Sequence, residues 1–498
     1  MDKQAILQYY NDLCTSIGHK LSRAEYREVK PIYTSSLIEK LWGNWTNFVN
    51  SAIVDIIVTR KDIQRTISAK KDKVVVSYVN DGSVVNWEVF ETLENYCKEN
   101  KAELVLLWGK NIRRDDRFTE EAFLRLQPYL VTKLIFEKDP YCIVQDFLIS
   151  PTQKNPLLNL DKLSTDIKTI VVGSNKQYLR ILPYKQYSTY RVACSTGSIS
   201  SIDYRETVSG QIDSKYHKFG AVLLDWNEKQ ERYVIRNLIY KNGCICDLNK
   251  KYTADKVTKI DTLPAMVLGD LHLPDEDTDA LSDTIKFINK YRPKEVMLHD
   301  LASWNSISHH YFNHYLSKVM NDTPETSDLQ TEINAVVERL TKFIKACPDS
   351  KFKVVNSNHD AFIEKWLEAG EFVKDKQNAI LGVKLFIEYA QGRSVFDMFL
   401  PKNCVALAKN TSFEVNGFEL SEHGDAGISG FRGNVNSFNK TFENCICGHT
   451  HSPEIFEKTV YVGTLSKLKL NYNQKGMTKW VHCNAIIQEN GSFQLIFV

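Results

Sequence analysis

The chain has no apolar run approaching the roughly 20 residues needed to span a bilayer. Its first residues, MDKQAILQYYND, carry acids where a signal peptide would carry an apolar stretch. Both absences point to a soluble cytoplasmic protein with no membrane partner. Net charge is also nearly absent, with 63 Lys+Arg against 61 Asp+Glu for a formal +2. A polyanion must then be met by a local basic patch, not by a uniformly basic surface. No C-x-x-C occurs. The 11 cysteines include two C-x-C pairs, Cys244/Cys246 and Cys445/Cys447, and otherwise scatter. Such a set reads as reduced thiols and excludes a disulfide-stapled scaffold. What remains is ordinary globular material. Hydrophobic residues make up 43% and charged residues 25% of 498, enough for more than one core and unlike disordered or collagen-like chains. That length favours two to four domains, and no internal repeat or low-complexity tract stands out.

Residues 1–60 read as a small helical module. Ile6, Leu7, Tyr10, Leu13, Cys14 and Ile17 recur at helical spacing, and Gly18 closes the helix. Ser22-Arg23-Ala24-Glu25 and Ser36-Leu37-Ile38-Glu39 both have capping-box form, each marking a fresh helix start. A fourth helix is expected over about 44–52. Residues 73–260 read as a middle α/β domain that becomes strand-rich. VVVSYV (74–79) and ELVLLW (103–108) are strand-like and flank a helical run at 87–99, followed by TIVVGS, RVACSTGSI, FGAVLLDW and YVIRNLIY. In the third segment, 263–498, strands are expected at 265–268, 295–298 and 352–355, with a helix over 278–291. Asn416-Gly417 and Asn490-Gly491 carry the tight-hairpin signature.

Five polar clusters follow strands in this third segment: Gly269-Asp270-Leu271-His272, His299-Asp300, Ser357-Asn358-His359-Asp360, Glu422-His423-Gly424 and Gly448-His449-Thr450-His451. Any single Asp or His of this kind is ordinarily a cap or a satisfied polar residue. Five in order at strand ends form a pattern, because the sites of α/β enzymes lie at the carboxyl ends of strands. Carboxylate, imidazole and amide oxygen together suit a borderline metal such as Mn²⁺, Fe²⁺ or Zn²⁺.

This order resembles the calcineurin-like metallophosphoesterases, whose motifs run D-x-H, GD-x-x-D, GNH-D/E, H and GH-x-H; four of the five match closely, within residues 263–470. The resemblance implies an α/β/β/α sandwich and two divalent ions. Asp270, His272, Asp300 and His451 would hold one ion, and Asp300, Asn358, His423 and His449 the other, with Asp300 bridging. His359 would be the catalytic histidine beside the scissile phosphate. Asp360 is either its orienting acid or a cap of the next helix. His299 stands where the family has Gly, Ser303 where it often has Asp or His, and Ser357 where it has Gly. The Asp-Arg-Gly run of Ser/Thr protein phosphatases is replaced by Leu301-Ala302-Ser303-Trp304-Asn305, which weighs against a protein phosphatase. Arg432, in the Gly-rich stretch 427–434, is a candidate phosphate contact. His309, His310 and His314 read as a solvated helix face, and Cys445 and Cys447 as packing residues.

The first module resembles the homing-endonuclease-associated repeat, a small DNA-binding unit, through Leu21-Ser22-Arg23-Ala24-Glu25-Tyr26 and Trp42-Gly43-Asn44-Trp45. Residues 1–73 hold 12 Lys/Arg and 8 Asp/Glu. Lys20, Arg23, Arg27, Lys30 and Lys40 are the candidate DNA-phosphate contacts, while Trp42 and Trp45 read as core. The combined expectation is a two-metal deoxyribonuclease resembling SbcD-type exonucleases and phage-encoded DNases, some of which degrade host DNA. Such enzymes imply Mn²⁺ (with Mg²⁺, Fe²⁺ or Zn²⁺ as alternatives), a DNA partner, a homo-oligomer and a cytoplasmic location, the host's if phage-encoded. A phosphodiesterase or phosphatase for small nucleotides is the alternative. A non-catalytic DNA-binding or scaffold protein is a third, which the intact ligand set argues against.

Overall fold

The computed structural model describes residues 3–17, 21–54, 66–69, 71–81, 83–109, 119–150, 152–184, 189–201, 204–308, 325–326, 328–470, 473 and 476–498. Gly18, Lys20, His309, His310 and His314 lie outside them. The chain divides into two compact units, Met1–Arg65 and Thr66–Val498.

The first unit contains helices Lys3–Ile17, Arg23–Glu28, Ser35–Trp42 and Trp45–Val54. Ser22 caps the second as a full capping box, its hydroxyl accepting from the Glu25 amide while the Glu25 carboxylate accepts from the Ser22 amide. The second expected box is corrected. Thr34, not Ser36, is the N-cap: its backbone is extended and its hydroxyl accepts from the Leu37 amide, which leaves Ser36 already inside the helix. Ile6, Tyr10, Leu21, Tyr26, Ile38 and Phe48 form the core. Trp45 packs on Tyr26 and Trp42 on Phe48, each at 5.0 Å between ring centroids, so both tryptophans are core residues.

The second unit is mixed α/β, as expected. One sheet has eight strands among the described residues. Its βαβ element joins Lys73–Asn80 to Glu103–Gly109 in parallel through helix Trp87–Asn100. A second sheet runs in the order Cys404–Ala406, Lys351–Val354, Glu295–Leu298, Ala265–Val267, Cys483–Ile487, Phe493–Phe497; its first four strands are parallel. Alternate residues serve opposite faces, as a period of two requires. Ala265, Val267, Met297 and Ala485 enter a core shared with the other sheets. Met266, Val296, Leu298 and Ile486 enter a second core with residues of helices Thr278–Tyr291 and Leu329–Ala346.

The third sheet, of eleven strands, crosses the boundary expected between 260 and 263. Leu179–Leu182 pairs with Glu454–Phe456, so strands from the middle segment and the last segment are hydrogen-bonded into one sheet. A strand at Thr66–Ala69 also precedes residue 73 and opens this sheet.

Candidate metal centre

The centre grows out of the carboxyl ends of Ala265–Val267 and Glu295–Leu298. Beyond them the two loops keep a parallel bonding pattern: the amides of Leu271, His272 and Leu273 donate to the carbonyls of His299, Asp300 and Leu301 at 3.0, 2.7 and 3.0 Å. This lattice fixes Asp270, His272 and Asp300 relative to one another before any side chain is considered. Four residues of the cluster adopt left-handed backbone, His272 (φ 51°), Asp300 (41°), His449 (72°) and His451 (54°). Such geometry is costly for residues with a Cβ and collects at functional sites. Gly448 is required by close approach, since a Cβ there would lie 2.3 Å from Asp270 Oδ1.

Asp270, His272, Asp300 and His451 converge, all buried, with one ligand atom from each within 4.8 Å of the others. His451 Nε2 lies 2.9 Å from Asp270 Oδ2 and 3.0 Å from His272 Nε2. Asp300 faces two ways. Its Oδ2 is 3.4 Å from His272 Nε2 and its Oδ1 3.3 Å from His423 Nε2. On the His423 side, His449 Nδ1 meets Asn358 Oδ1 at 3.0 Å, and the His423 and His449 rings are 5.3 Å apart. The His359 ring, half-buried, stands edge-on to His272 at 4.6 Å.

Burial and mutual charge divide these groups. Burial pushes His272 down to about 3, with His359 adding to it, and lowers His359 and His449. Burial also opposes the charge on His423, but Asp300 outweighs it and lifts that imidazole to about 10. Asp300 is held well below the usual carboxylate range, burial being overcome chiefly by His423. Buried Asp270 Oδ1 has no hydrogen-bond partner, a costly arrangement that a cation would relieve. This buried Asp/His cluster can hold a metal ion.

No family model matches the chain. Over 472 residues it is 25% identical to "Protein A1" of Escherichia phage T5, covering 85% of this chain and 81% of that protein. One solved crystal structure aligns with 47% of this chain and 98% of its own at 11% identity, with a TM-score of 0.26. Among the described residues, no helix is long and apolar enough to cross a membrane.

His299 is the residue that sequence reasoning underrates. It is fully buried, its Nδ1 lies 3.2 Å from His423 Nδ1, and it forms a second possible ligand group with Asp270 and His423. Its place in the His299-Asp300 pair is the available signal, masked by the Gly that the calcineurin-like motif carries there. Asp360 does not cap the next helix. Its carboxylate accepts from the Leu301 and Ala302 amides at 3.1 and 3.4 Å and from the Ser357 hydroxyl at 2.9 Å. Helix Phe362–Glu368 starts instead from Ala361, without a side-chain cap. Ser303 donates to Asp275 at 3.0 Å, bracing the same loop.

Arg432 is exposed, on a loop closed by the Gly427 amide donating to the Phe431 carbonyl at 2.6 Å. Cys445 and Cys447 are buried on strand Cys445–Cys447. In the first unit, Arg23 pairs with Glu39 at 2.6 Å and Arg27 donates to the Ser35 hydroxyl at 2.8 Å. Lys30 and Lys40 are exposed.

Proposed function

We propose that this chain is a two-metal phosphodiesterase that hydrolyses DNA. The observation that carries the reading is Asp300, which turns one carboxylate oxygen toward His272 and the other toward His423. A carboxylate so placed suits the bridge between two cations. Asp270, His272, Asp300 and His451 would hold one ion; Asp300, Asn358, His423 and His449 would hold the other. The mixed oxygen and imidazole donors favour Mn²⁺. Paired divalent ions, when bound, supply charge neutralisation at the phosphate and an activated water for in-line displacement. His359 would present its ring to the leaving oxygen and give it a proton. The core shared between the six-stranded and eleven-stranded sheets supports a calcineurin-like α/β/β/α sandwich. The capped helical unit would bind DNA phosphates through Lys30, Lys40, Arg23 and Arg27. Similarity to a phage T5 protein supports a phage-encoded enzyme acting in host cytoplasm, and assembly as a homo-oligomer belongs to the same reading.

The test is hydrolysis of linear, nicked and circular DNA. Chelator should abolish it, Mn²⁺ should restore it, and Asp300→Ala should leave no activity with metal added. Hydrolysis in chelator, or by the Asp300→Ala variant, would overturn the assignment. Faster turnover of mononucleotide or cyclic substrates than of DNA would replace DNA with small nucleotides.

A further inference from the structure

A polar cavity of about 70 Å³ lies within the Thr66–Val498 unit, lined among others by Gln177, Lys218, Lys241, Lys458 and Glu457 together with Phe418 and Phe493. At roughly 10–15 Å³ per water, it has room for several waters or one tetrahedral oxyanion. It belongs to a different end of the fold from the metal centre. Asn444, on its wall, immediately precedes strand Cys445–Cys447, whereas His449 and His451 follow that strand. The strand between them, Cys445–Cys447, spans roughly 10 Å at 3.3 Å per residue. Glu457 and Lys458 lie at that same amino end, because Cys445 pairs in parallel with Thr459.

The charge around the cavity is not balanced. Lys458 is paired with Glu443 at 3.0 Å, and Glu457 with Lys154 at 3.6 Å. Lys241 donates to the Gly491 carbonyl at 2.6 Å. Neither Lys218 nor Lys241 has a carboxylate partner among the described residues. Burial pushes the Lys218 ammonium down, and repulsion from Lys241, on the same cavity wall, adds to it. Lys241 is exposed, which leaves the cavity open to solvent on that side. Gln177 supplies an independent sign of a ligand. It is 5% exposed, its amide nitrogen is committed to backbone carbonyls of Thr196 and Ala221, and its Oε1 has no partner.

We infer that this cavity binds a phosphate-type oxyanion, with Lys218 and Lys241 donating to its oxygens and Gln177 Oε1 accepting from its hydroxyl. Inorganic monohydrogen phosphate and the terminal phosphate of a nucleotide share this chemistry. The inference is independent of the hydrolytic reading, because no proposed metal ligand lines the cavity.

The test is calorimetric titration of the full chain in chelator with inorganic phosphate, and separately with a nucleoside monophosphate. Wild type and Asp300→Ala should bind alike. Lys218→Met and Lys241→Gln should each weaken binding about tenfold or more, the usual effect of losing one charge-assisted hydrogen bond. Phosphate should also raise the melting temperature of wild type and not of the lysine variants. Removing a mutually repelling cation should leave each variant at least as stable as wild type without phosphate. Tighter binding of the nucleotide assigns the site to nucleotides, and equal or weaker binding assigns it to free phosphate. Absence of phosphate binding, binding unchanged in both lysine variants, or binding lost in Asp300→Ala would overturn the inference.

Discussion

At the scale of single residues, the centre is decided by which imidazole keeps a proton. His423 is raised to about 10: burial disfavours its charge, but Asp300 and then Asp270 more than compensate. A metal must take the lone pair that this proton occupies. Below about pH 10 the proton competes, so raising pH removes the competitor. Metal affinity should therefore climb about tenfold per pH unit through neutrality and level off near pH 10. Calorimetry in buffers of different ionisation enthalpy should find about one proton released per chain, and none in His423→Asn. A pH-independent affinity in wild type would refute this account. His299, touching His423 at its other ring nitrogen, orients that ligand, and His299→Ala should weaken metal binding by about 10–100-fold. An unchanged metal affinity would reduce His299 to packing.

At the scale of elements, loops are held by groups that local patterns do not reveal. Asp360 is buried and lifted to about 7, first by burial and then by Asp300, yet it accepts the two amides that follow Asp300. Asp360→Ala leaves both amides buried and unpaired, which should cost about 2–4 kcal/mol in urea unfolding. Hydrolysis should fall as well, although no proposed ligand is removed. A variant as stable as wild type would show that the loop holds without this carboxylate. The helix Ser35–Trp42 offers a cleaner comparison. Thr34→Ala should cost about 1 kcal/mol, as removal of a cap does, whereas Ser36→Ala should be near neutral inside the helix. Equal effects on hydrogen exchange of residues 35–42 would restore Ser36 as the cap. Most elements here are legible in the sequence: the helix at Thr278–Tyr291 and the strand Glu295–Leu298 stand where apolar periodicity places them. The capping-box pattern fails at Ser36 because two residues close in sequence can both accept an amide. Only the backbone of Thr34 is extended enough to do so.

At the scale of the whole molecule, the Met1–Arg65 unit is the part that separates. Arg23 pairs with Glu39 and Arg27 with Ser35, so phosphate binding by either would have to compete with that contact, whereas Lys30 and Lys40 are exposed. Deleting residues 1–65 from catalytically dead Asp300→Ala protein should weaken DNA binding and flatten its salt dependence. The log–log slope should fall by about 0.9 for each phosphate that the deleted unit neutralises. The comparison must be made at equal oligomeric state, since a weakened assembly lowers apparent affinity through avidity alone. Unchanged binding would remove DNA from the first unit's role. The same deletion in an active chain should spare hydrolysis of a small phosphodiester, because every proposed metal ligand lies beyond Leu268.

Sequence alone was enough for the mixed α/β class, the helical start and the ordered Asp, Asn and His clusters, because these rest on local properties: apolar period, turn chemistry and ligand type. It could not show that strands on either side of residues 260–263 share one sheet. Strand pairing such as Leu179 with Ile455 depends on which edges meet in space, and alternation along a strand does not name its neighbour. Nor could it rank His299 or Asp360. Both owe their roles to groups brought near by the parallel pairing of Ala265–Val267 with Glu295–Leu298 and of that strand with Lys351–Val354. The two-way orientation of Asp300, with its left-handed backbone, was likewise a tertiary decision, because only surrounding packing and hydrogen bonds can hold a non-glycine residue in that conformation.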